Sequence, residues 1–388
     1  MRALRFHGRR DVRLDEIPQP ELRPGWVKVK NVWGGICGSD KDGLTHVAHF
    51  HEYLFGPRTT PSEPHPLTGE SVPTILGHEF SGRVIELSPE VCDLEIGQKV
   101  VIFPVIGDGD CHYCQEELFG LCDKWGFLGY SGYGGGFAEY ICVDRKQLFK
   151  VPDSVPLDVA ALVEPLAVAW HGIKLARLAP SDSALVVGAG RTRNRRPTEQ
   201  AWLMIAGPIG IATVMCLKAI GVGNIIVSEV SQGRSRHALK AGAHQVISQP
   251  DQDVVALSRQ NSSDGRGPHV VFDAAGVQAS INVAFASVRG RGTIVNLALF
   301  DKPVVLDISS FNRKSIQYLT SSLYTRAEFQ EVIDAIASGR IERPESMITG
   351  RISLAEATSQ GLERLLQSKD EHIKILVSPD VQPNRPKL

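Results

Sequence analysis

Three stretches of this 388-residue sequence carry side chains suited to metal chemistry: Cys37 in GGICGSD, the adjacent His78-Glu79 in VPTILGHEFSGRVIEL, and Glu164 in the apolar run ALVEPLAVAW. Thiolate, imidazole and carboxylate are the ligands of a catalytic zinc, which keeps one position open for substrate. Gly77 and Gly82 flank the His-Glu pair and let the backbone bend there. Ser39 lies two residues beyond Cys37, where a hydroxyl is placed to receive a proton from an alcohol on the metal. Glu164 is followed by Pro165 inside a helical apolar pattern, and a carboxylate in such surroundings needs a partner, which points to ligation or to a place beside the metal. A second group lies in a loop, where Cys111, Cys114 and Cys122 suggest a closed structural zinc site. Three cysteines are one short of a thiolate set. Asp108 precedes Cys111 by the interval that separates Cys111 from Cys114, which makes it the natural fourth ligand.

The elements that must position these groups fall into two styles. Residues 1–36 and 83–107 read as strands with polar alternation and tight turns. The loop-like stretch between them is dense in histidine, and His46, His49, His51 and His65 are expected mostly at the surface. LDVAALVEPLAVAWHGIKLA reads as a helix. From Ser181 onward strands and helices alternate (SALVVGAG, GPIGIATVMCLKAIG, NIIVSEV, SRHALKAGA, HVVFDAAG, SINVAFASV, GTIVNLAL), which predicts a parallel sheet covered by helices on both faces. Glycines Gly188, Gly190, Gly207 and Gly210, with Pro208 and Ile209, followed by Glu229 at the end of the second strand, form a dinucleotide fingerprint. The glycines admit a pyrophosphate to a helix N-terminus, and Glu229 is placed to hydrogen-bond the adenosine ribose. A carboxylate there repels a 2′-phosphate, so the cofactor expected is NAD. The fingerprint is interrupted by the basic block 190–206, without which the loop would read GAGPIG. TRAEFQEVIDAIASGRI is an amphipathic helix with Phe329, Val332, Ile333 and Ile336 on one face, and HIKILV a closing strand.

Composition narrows the class. An apolar content of 43% and a formal net charge of -1 fit a folded chain and argue against nucleic-acid binding. Seven cysteines, three of them clustered, suit metal-bound thiolates in a reduced cytoplasmic setting better than a disulfide framework. No uncharged run is long enough to span a membrane, and the N-terminus lacks the apolar core of a signal peptide. Pro386-Lys387-Leu388 only echoes a peroxisomal address.

GGICGSD, LGHEFSG, the cysteine loop, VEPLAVAWHG, the split glycine motif and FDAAG occur in one order, and together they resemble the zinc-dependent medium-chain alcohol dehydrogenases over nearly the whole chain. HEYLFGP, PHPLTGESVPTILGHEF and SGRIERPESMITGRISLAEA look most like the 2,3-butanediol dehydrogenase group, particularly its fungal members. The resemblance implies an α/β chain in which a GroES-like β-rich catalytic domain (1–158, with a return at 326–388) is combined with a Rossmann NAD-binding domain (159–325). It implies a catalytic zinc on Cys37, His78 and a carboxylate, Glu79 or Glu164, with Ser39 and His51 as a proton relay. It also implies a structural zinc on Asp108, Cys111, Cys114 and Cys122, with Asp in place of the usual first cysteine. A homodimer or homotetramer, joined along the edge of the Rossmann sheet near SIQYLTSSLY, is expected from the group. The reaction expected is reversible oxidation of a secondary alcohol by NAD, with 2,3-butanediol and acetoin as the pair. A sorbitol- or xylitol-type polyol dehydrogenase, and a zinc-binding protein whose NAD site is disabled by block 190–206, are the alternatives. That block and residues 41–50, between Asp40 and His51, both break otherwise close matches; block 190–206 reads as a retained intron and 41–50 as a displaced splice junction.

Overall fold

Alternation dictates the first large sheet. In WVKVKNVWGG the side chains of Val27, Val29 and Asn31 are buried while Lys28 and Lys30 face outward, the period-two pattern of a strand with one covered face. The structure is a computed structural model that describes residues 1–8, 11–37, 63–188, 207–248, 252–300, 303–368 and 371–381. Ser39, His51, Gly190, the blocks 41–50 and 190–206, and Pro386-Lys387-Leu388 lie outside the described residues.

The chain divides into two units, Met1–Glu164 with Thr325–Ala337 and Ile348–Leu388, and Pro165–Tyr324 with Ser338–Met347. The strands of the first unit follow in order as β1 (Arg2–Gly8), β2 (Asp11–Glu16), β3 (Trp26–Gly35), β4 (Thr74–Ile75), β5 (Glu79–Leu87), β6 (Lys99–Ile102), β7 (Val105–Ile106), β8 (Gly126–Phe127), β9 (Tyr140–Asp144) and β10 (Leu148–Lys150). The second unit holds β11 (Ser183–Val187), β12 (Asn224–Ser228), β13 (Gln245–Ile247), β14 (Val270–Asp273), β15 (Thr293–Asn296) and β16 (Gln317–Thr320). The chain then returns to the first unit with β17 (Ile348–Ser353) and β18 (Lys374–Ser378).

The principal sheet of the first unit has seven strands in the order β10-β6-β5-β3-β18-β17, with β9 also on β3. Its core is formed by Val27, Val29, Phe80, Val84, Val100 and Ile102 with their neighbours. The C-terminal strand β18 thus lies beside β3, with Leu376 opposite Gly35 and Val377 opposite Gly34. The amphipathic helix Arg326–Ala337 belongs to this unit, and its predicted apolar face is buried: Phe329 and Val332 are fully covered, with Ile333 and Ile336 nearly so. The helix expected across Leu157–Ala176 forms in two pieces, Leu157–Ala160 and Val163–Ala176, and Glu164 lies in the first turn of the second.

The second unit carries a six-stranded parallel sheet in the order β13-β12-β11-β14-β15-β16. Numbered within the sheet, this is 3-2-1-4-5-6, the doubly wound dinucleotide-binding order, in which the first strand is central and the chain reverses direction beside it. The strands read as unbroken apolar runs because helices cover both faces, and all five residues of β11 are buried. The excursion Ser338–Met347 joins this unit through a Lys218–Glu342 ion pair at 2.8 Å and an Arg343 hydrogen bond to the Lys240 carbonyl.

Candidate active site

The ligand-bearing segments meet through the register of β3 and β5. Gly35 lies opposite Glu79, and the chain then runs on through Ile36 to Cys37. Gly35 is required there, because a Cβ on it would collide with Glu79 Oε2. On the other side Gly77 turns with φ of 95°, a left-handed conformation that suits glycine, and delivers His78 and Glu79 to the start of β5. As a result, donor atoms of Cys37, His78 and Glu79 lie within 4.8 Å of one another, with His78 and Glu79 buried. A sulfur, an imidazole nitrogen and a carboxylate oxygen converging at this range fit zinc.

The His78 ring is walled by Tyr130, at 4.8 Å between centroids and 31° between planes, and by Phe127 edge-on at 5.4 Å. Burial pushes the imidazole pKa down, and the Glu164 and Glu79 carboxylates offset only part of this. The neutral ring is the form that ligates a metal. Glu164 is buried at 5% exposure and stands outside the tight group, but its charge is felt by both His78 and Lys374.

Lys374, at the start of β18, is a member of the site that the sequence reading overlooks. Its ammonium is buried and donates to both Glu79 oxygens at 2.7 Å and to the Ile36 carbonyl at 3.1 Å. Burial alone would favour its neutral form, yet the Glu79 carboxylate and the Cys37 thiolate outweigh burial and hold its pKa above the usual lysine value. The available signal was a lysine inside the apolar strand IKILV; which acid it meets is decided by strand pairing between β18 and β3.

Asp108, Cys111, Cys114 and Cys122 form a second group, with donor atoms again within 4.8 Å. Asp108 Oδ1 accepts the Cys111 N–H at 3.0 Å and the Asp110 N–H at 3.1 Å, so the loop folds around its carboxylate. The Cys114 thiol is pushed up to about 12, first by burial and then by hydrogen bonds with Cys111, Cys122 and Asp108, against a backbone N–H from Gly109. One carboxylate and three cysteine sulfurs gathered this closely fit a closed metal site, which would draw the thiols into the thiolate form.

In the second unit, Gly188 follows β11 and its N–H reaches the Ser228 carbonyl of β12 at 2.9 Å, so the first glycine and Glu229 end neighbouring strands. Gly207 is the N-cap of the helix Pro208–Ala219, and among the described residues beyond its chain neighbours no atom lies within 4 Å of where its Cβ would stand, so the helix N-terminus is open there to a phosphate. Glu229 is buried, and its Oε1 accepts the Ser231 N–H at 2.8 Å. Asp273, also buried, ends β14 and accepts the N–H groups of Ala275 and Gly276 and the Ser280 hydroxyl, at 2.9, 3.1 and 3.0 Å. That network shapes the FDAAG turn beside β11. The residues present fit a dinucleotide.

The histidines of this stretch are expected mostly at the surface, and His65 is an exception, buried at 3% exposure. Both ring nitrogens are satisfied: Nε2 donates to the Trp125 carbonyl at 3.2 Å and Nδ1 accepts the Leu67 N–H at 3.3 Å, which removes the usual cost of burying imidazole. The segment it anchors is also held by Tyr133, whose hydroxyl donates to the Leu67 carbonyl. His46, His49 and His51 lie outside the described residues.

Comparison with known proteins agrees with this geometry. Residues 23–153 match the alcohol dehydrogenase GroES-like domain, and residues 208–338 match the zinc-binding dehydrogenase domain. The (R,R)-butanediol dehydrogenase of Bacillus subtilis (strain 168) is 33% identical, over 98% of this chain and 100% of its own length. The sorbitol dehydrogenase of the same organism is 29% identical, over 98% of both chains. The crystal structure of 2R,3R-butanediol dehydrogenase from Bacillus subtilis superimposes with a TM-score of 0.84 at 32% identity, over 98% of this chain and 99% of that one. The zinc-binding dehydrogenase match supports zinc as a cofactor, and a zinc-binding dehydrogenase of Sinorhizobium meliloti 1021, 26% identical over 97% of this chain and 99% of that one with a TM-score of 0.79, was solved with NADP. With its GroES-like and Rossmann units, its two metal-ligand clusters and these relatives, the chain belongs to the zinc-dependent medium-chain alcohol dehydrogenase family.

Proposed function

We propose that the chain interconverts a vicinal diol and its hydroxyketone, 2,3-butanediol and acetoin, with NAD as the hydride acceptor. The observation that carries the chemistry is the buried convergence of Cys37, His78 and Glu79. The substrate rests on the butanediol dehydrogenase relatives, which are 32–33% identical over nearly the full chain, against 29% for the sorbitol enzyme and 27–28% for the D-xylulose reductases.

Cys37, His78 and one of Glu79 and Glu164 would hold the zinc, which when bound supplies a Lewis acid for the substrate oxygen. Burial keeps His78 neutral, and Tyr130 and Phe127 fix its ring. Ser39 and His51 are assigned the proton relay from the substrate hydroxyl to solvent. Glu229 binds the adenosine ribose, and the glycines through Gly210 receive the pyrophosphate. Asp108, Cys111, Cys114 and Cys122 hold a second zinc that orders their loop. A dimer or tetramer joined along the edge strand β16 is the self-association this reading carries.

The test is NAD-dependent oxidation of (2R,3R)-butanediol beside sorbitol and xylitol, on the full chain and on a form lacking residues 190–206. A kcat/KM for the diol at least tenfold above either polyol supports the reading. Preference for the polyols replaces it with the polyol enzyme. Zinc bound in both forms, with NAD bound by neither, leaves the non-catalytic reading.

A further inference from the structure

We infer that the glycine-rich turn 126–136 is the wall that orients the His78 ring, that the segment His65–Glu70 clamps this turn, and that His65 is thereby a positioning residue for His78. The inference rests on the zinc-dependent reading above. The turn meets His78 from two directions. Its side chains Phe127 and Tyr130 pack on the ring, the first edge-on and the second tilted over its face. Its backbone holds the residues that lead into His78: the Gly136 N–H donates to the Gly77 carbonyl at 2.7 Å, and the Phe137 N–H beyond it to the Leu76 carbonyl at 2.9 Å. Gly129 stands against the same Gly77 carbonyl, so closely that a Cβ on it would overlap the oxygen. The backbone that delivers His78 and the face of its ring are therefore both set by this turn.

A turn this rich in glycine has little stiffness of its own. His65–Glu70 supplies it. At one end, His65 Nε2 donates to the Trp125 carbonyl at 3.2 Å, and its ring packs on Gly126 so that a Cβ there would lie 2.8 Å from His65 Cε1. At the other end, the Thr68 hydroxyl donates to the Ser131 carbonyl and Glu70 Oε1 accepts the Tyr133 N–H at 2.9 Å. Ser131 is fully buried, and its hydroxyl accepts the Phe127 N–H at 3.0 Å, so the Thr68 contact reaches the ring that abuts His78. The clamp is itself closed: the His65 N–H donates to the Glu70 carbonyl and the Gly69 N–H to the His65 carbonyl, both at 2.8 Å, while His65 Nδ1 accepts the Leu67 N–H. Each end of the turn is thus tied to one rigid loop, and His65 acts on His78 through it.

The experiment measures zinc release from the purified full chain to a chromophoric chelator, each variant being repeated in a Cys37→Ala background to subtract release from the Asp108 site. His65→Leu removes the donor to the Trp125 carbonyl, and release from the site of Cys37 and His78 quickens on the order of 10–100-fold, the scale on which groups around a metal tune affinity. The visible spectrum of the cobalt-substituted site shifts with it, which a loss of global stability alone does not produce. His65→Gln keeps an N–H in the place of Nε2 and recovers most of the native rate. Glu70→Ala, at an exposed position, loosens the other end of the clamp, quickens release in the same direction and serves if His65→Leu does not fold. In the metal-free chain, hydrogen exchange of the amides in 126–136 is faster in His65→Leu and Glu70→Ala than in the wild type, which reads the clamp without zinc. Native release from the folded His65→Leu and Glu70→Ala variants overturns the proposal, as does unchanged exchange in the turn, or a His65→Gln variant that releases zinc as fast as His65→Leu. A wild-type chain that binds no zinc at Cys37 and His78 overturns the zinc-dependent reading itself, and the proposal with it.

Discussion

Glu79→Gln isolates the energetics of the buried pair from metal binding. The substitution keeps the shape of the side chain and removes its charge, leaving the Lys374 ammonium buried opposite a neutral amide. Two charge-assisted hydrogen bonds of 2.7 Å are lost as such, and no solvent reaches the lysine to replace them. Breaking a buried pair by removing one partner costs about 3–5 kcal/mol, and that is the expected loss in the metal-free chain. Adding Lys374→Met to Glu79→Gln removes the stranded charge, and most of the loss is recovered. The assay is denaturant unfolding of the wild type, both single variants and the double variant after exhaustive chelation, followed by the near-ultraviolet circular dichroism of the catalytic unit. A loss below about 1 kcal/mol for Glu79→Gln would place the pair in the range of exposed ion pairs and refute the claim that it is dry. A double variant no more stable than Glu79→Gln would refute the claim that the stranded ammonium is the cause.

Three further outcomes follow from the same structure. The His65, His237 and His372 pKa values are all lowered from 6.5 by burial, so the unfolded chain takes up protons first; stability is intact above about 6.5 and falls as pH drops through the folded values, and His65→Gln flattens that fall in thermal melts between pH 7 and 5. Asp108→Ala reduces bound zinc from two ions to one per chain by metal analysis while leaving the Cys37 site loaded, and an unchanged count would remove Asp108 from the ligand set. Deleting residues 190–206 joins Gly188-Ala189 directly to Gly207 and lets the pyrophosphate meet the helix N-terminus, so the NAD dissociation constant falls on the order of tenfold or more, each backbone N–H to a charged group being worth about 1–3 kcal/mol. Equal affinity in the two forms by calorimetry would show that the block does not disturb the site, and a transcript encoding it would show that it belongs to the natural chain.

The class of each unit was legible in the amino-acid pattern alone. Residue type and spacing single out Cys37, His78, Glu79 and the Asp108–Cys122 loop as candidate ligands, and the fold gathers the donor atoms of each set within 4.8 Å. The parallel sheet was legible because apolar runs alternating with helical patterns have few other solutions. Tertiary structure decided what depends on residues distant in the chain. Lys374 reads as an oddity in an apolar strand until the antiparallel pairing of β18 with β3 places it on Glu79, 295 residues away in sequence. His65 reads as one more loop histidine until the Trp125 carbonyl and the Leu67 N–H satisfy its ring and permit burial. The need for glycine at position 35 is likewise invisible locally, since the atom that excludes a Cβ belongs to Glu79 across the sheet. Local spacing names the groups that can bind a metal; strand register determines which distant side chains meet them.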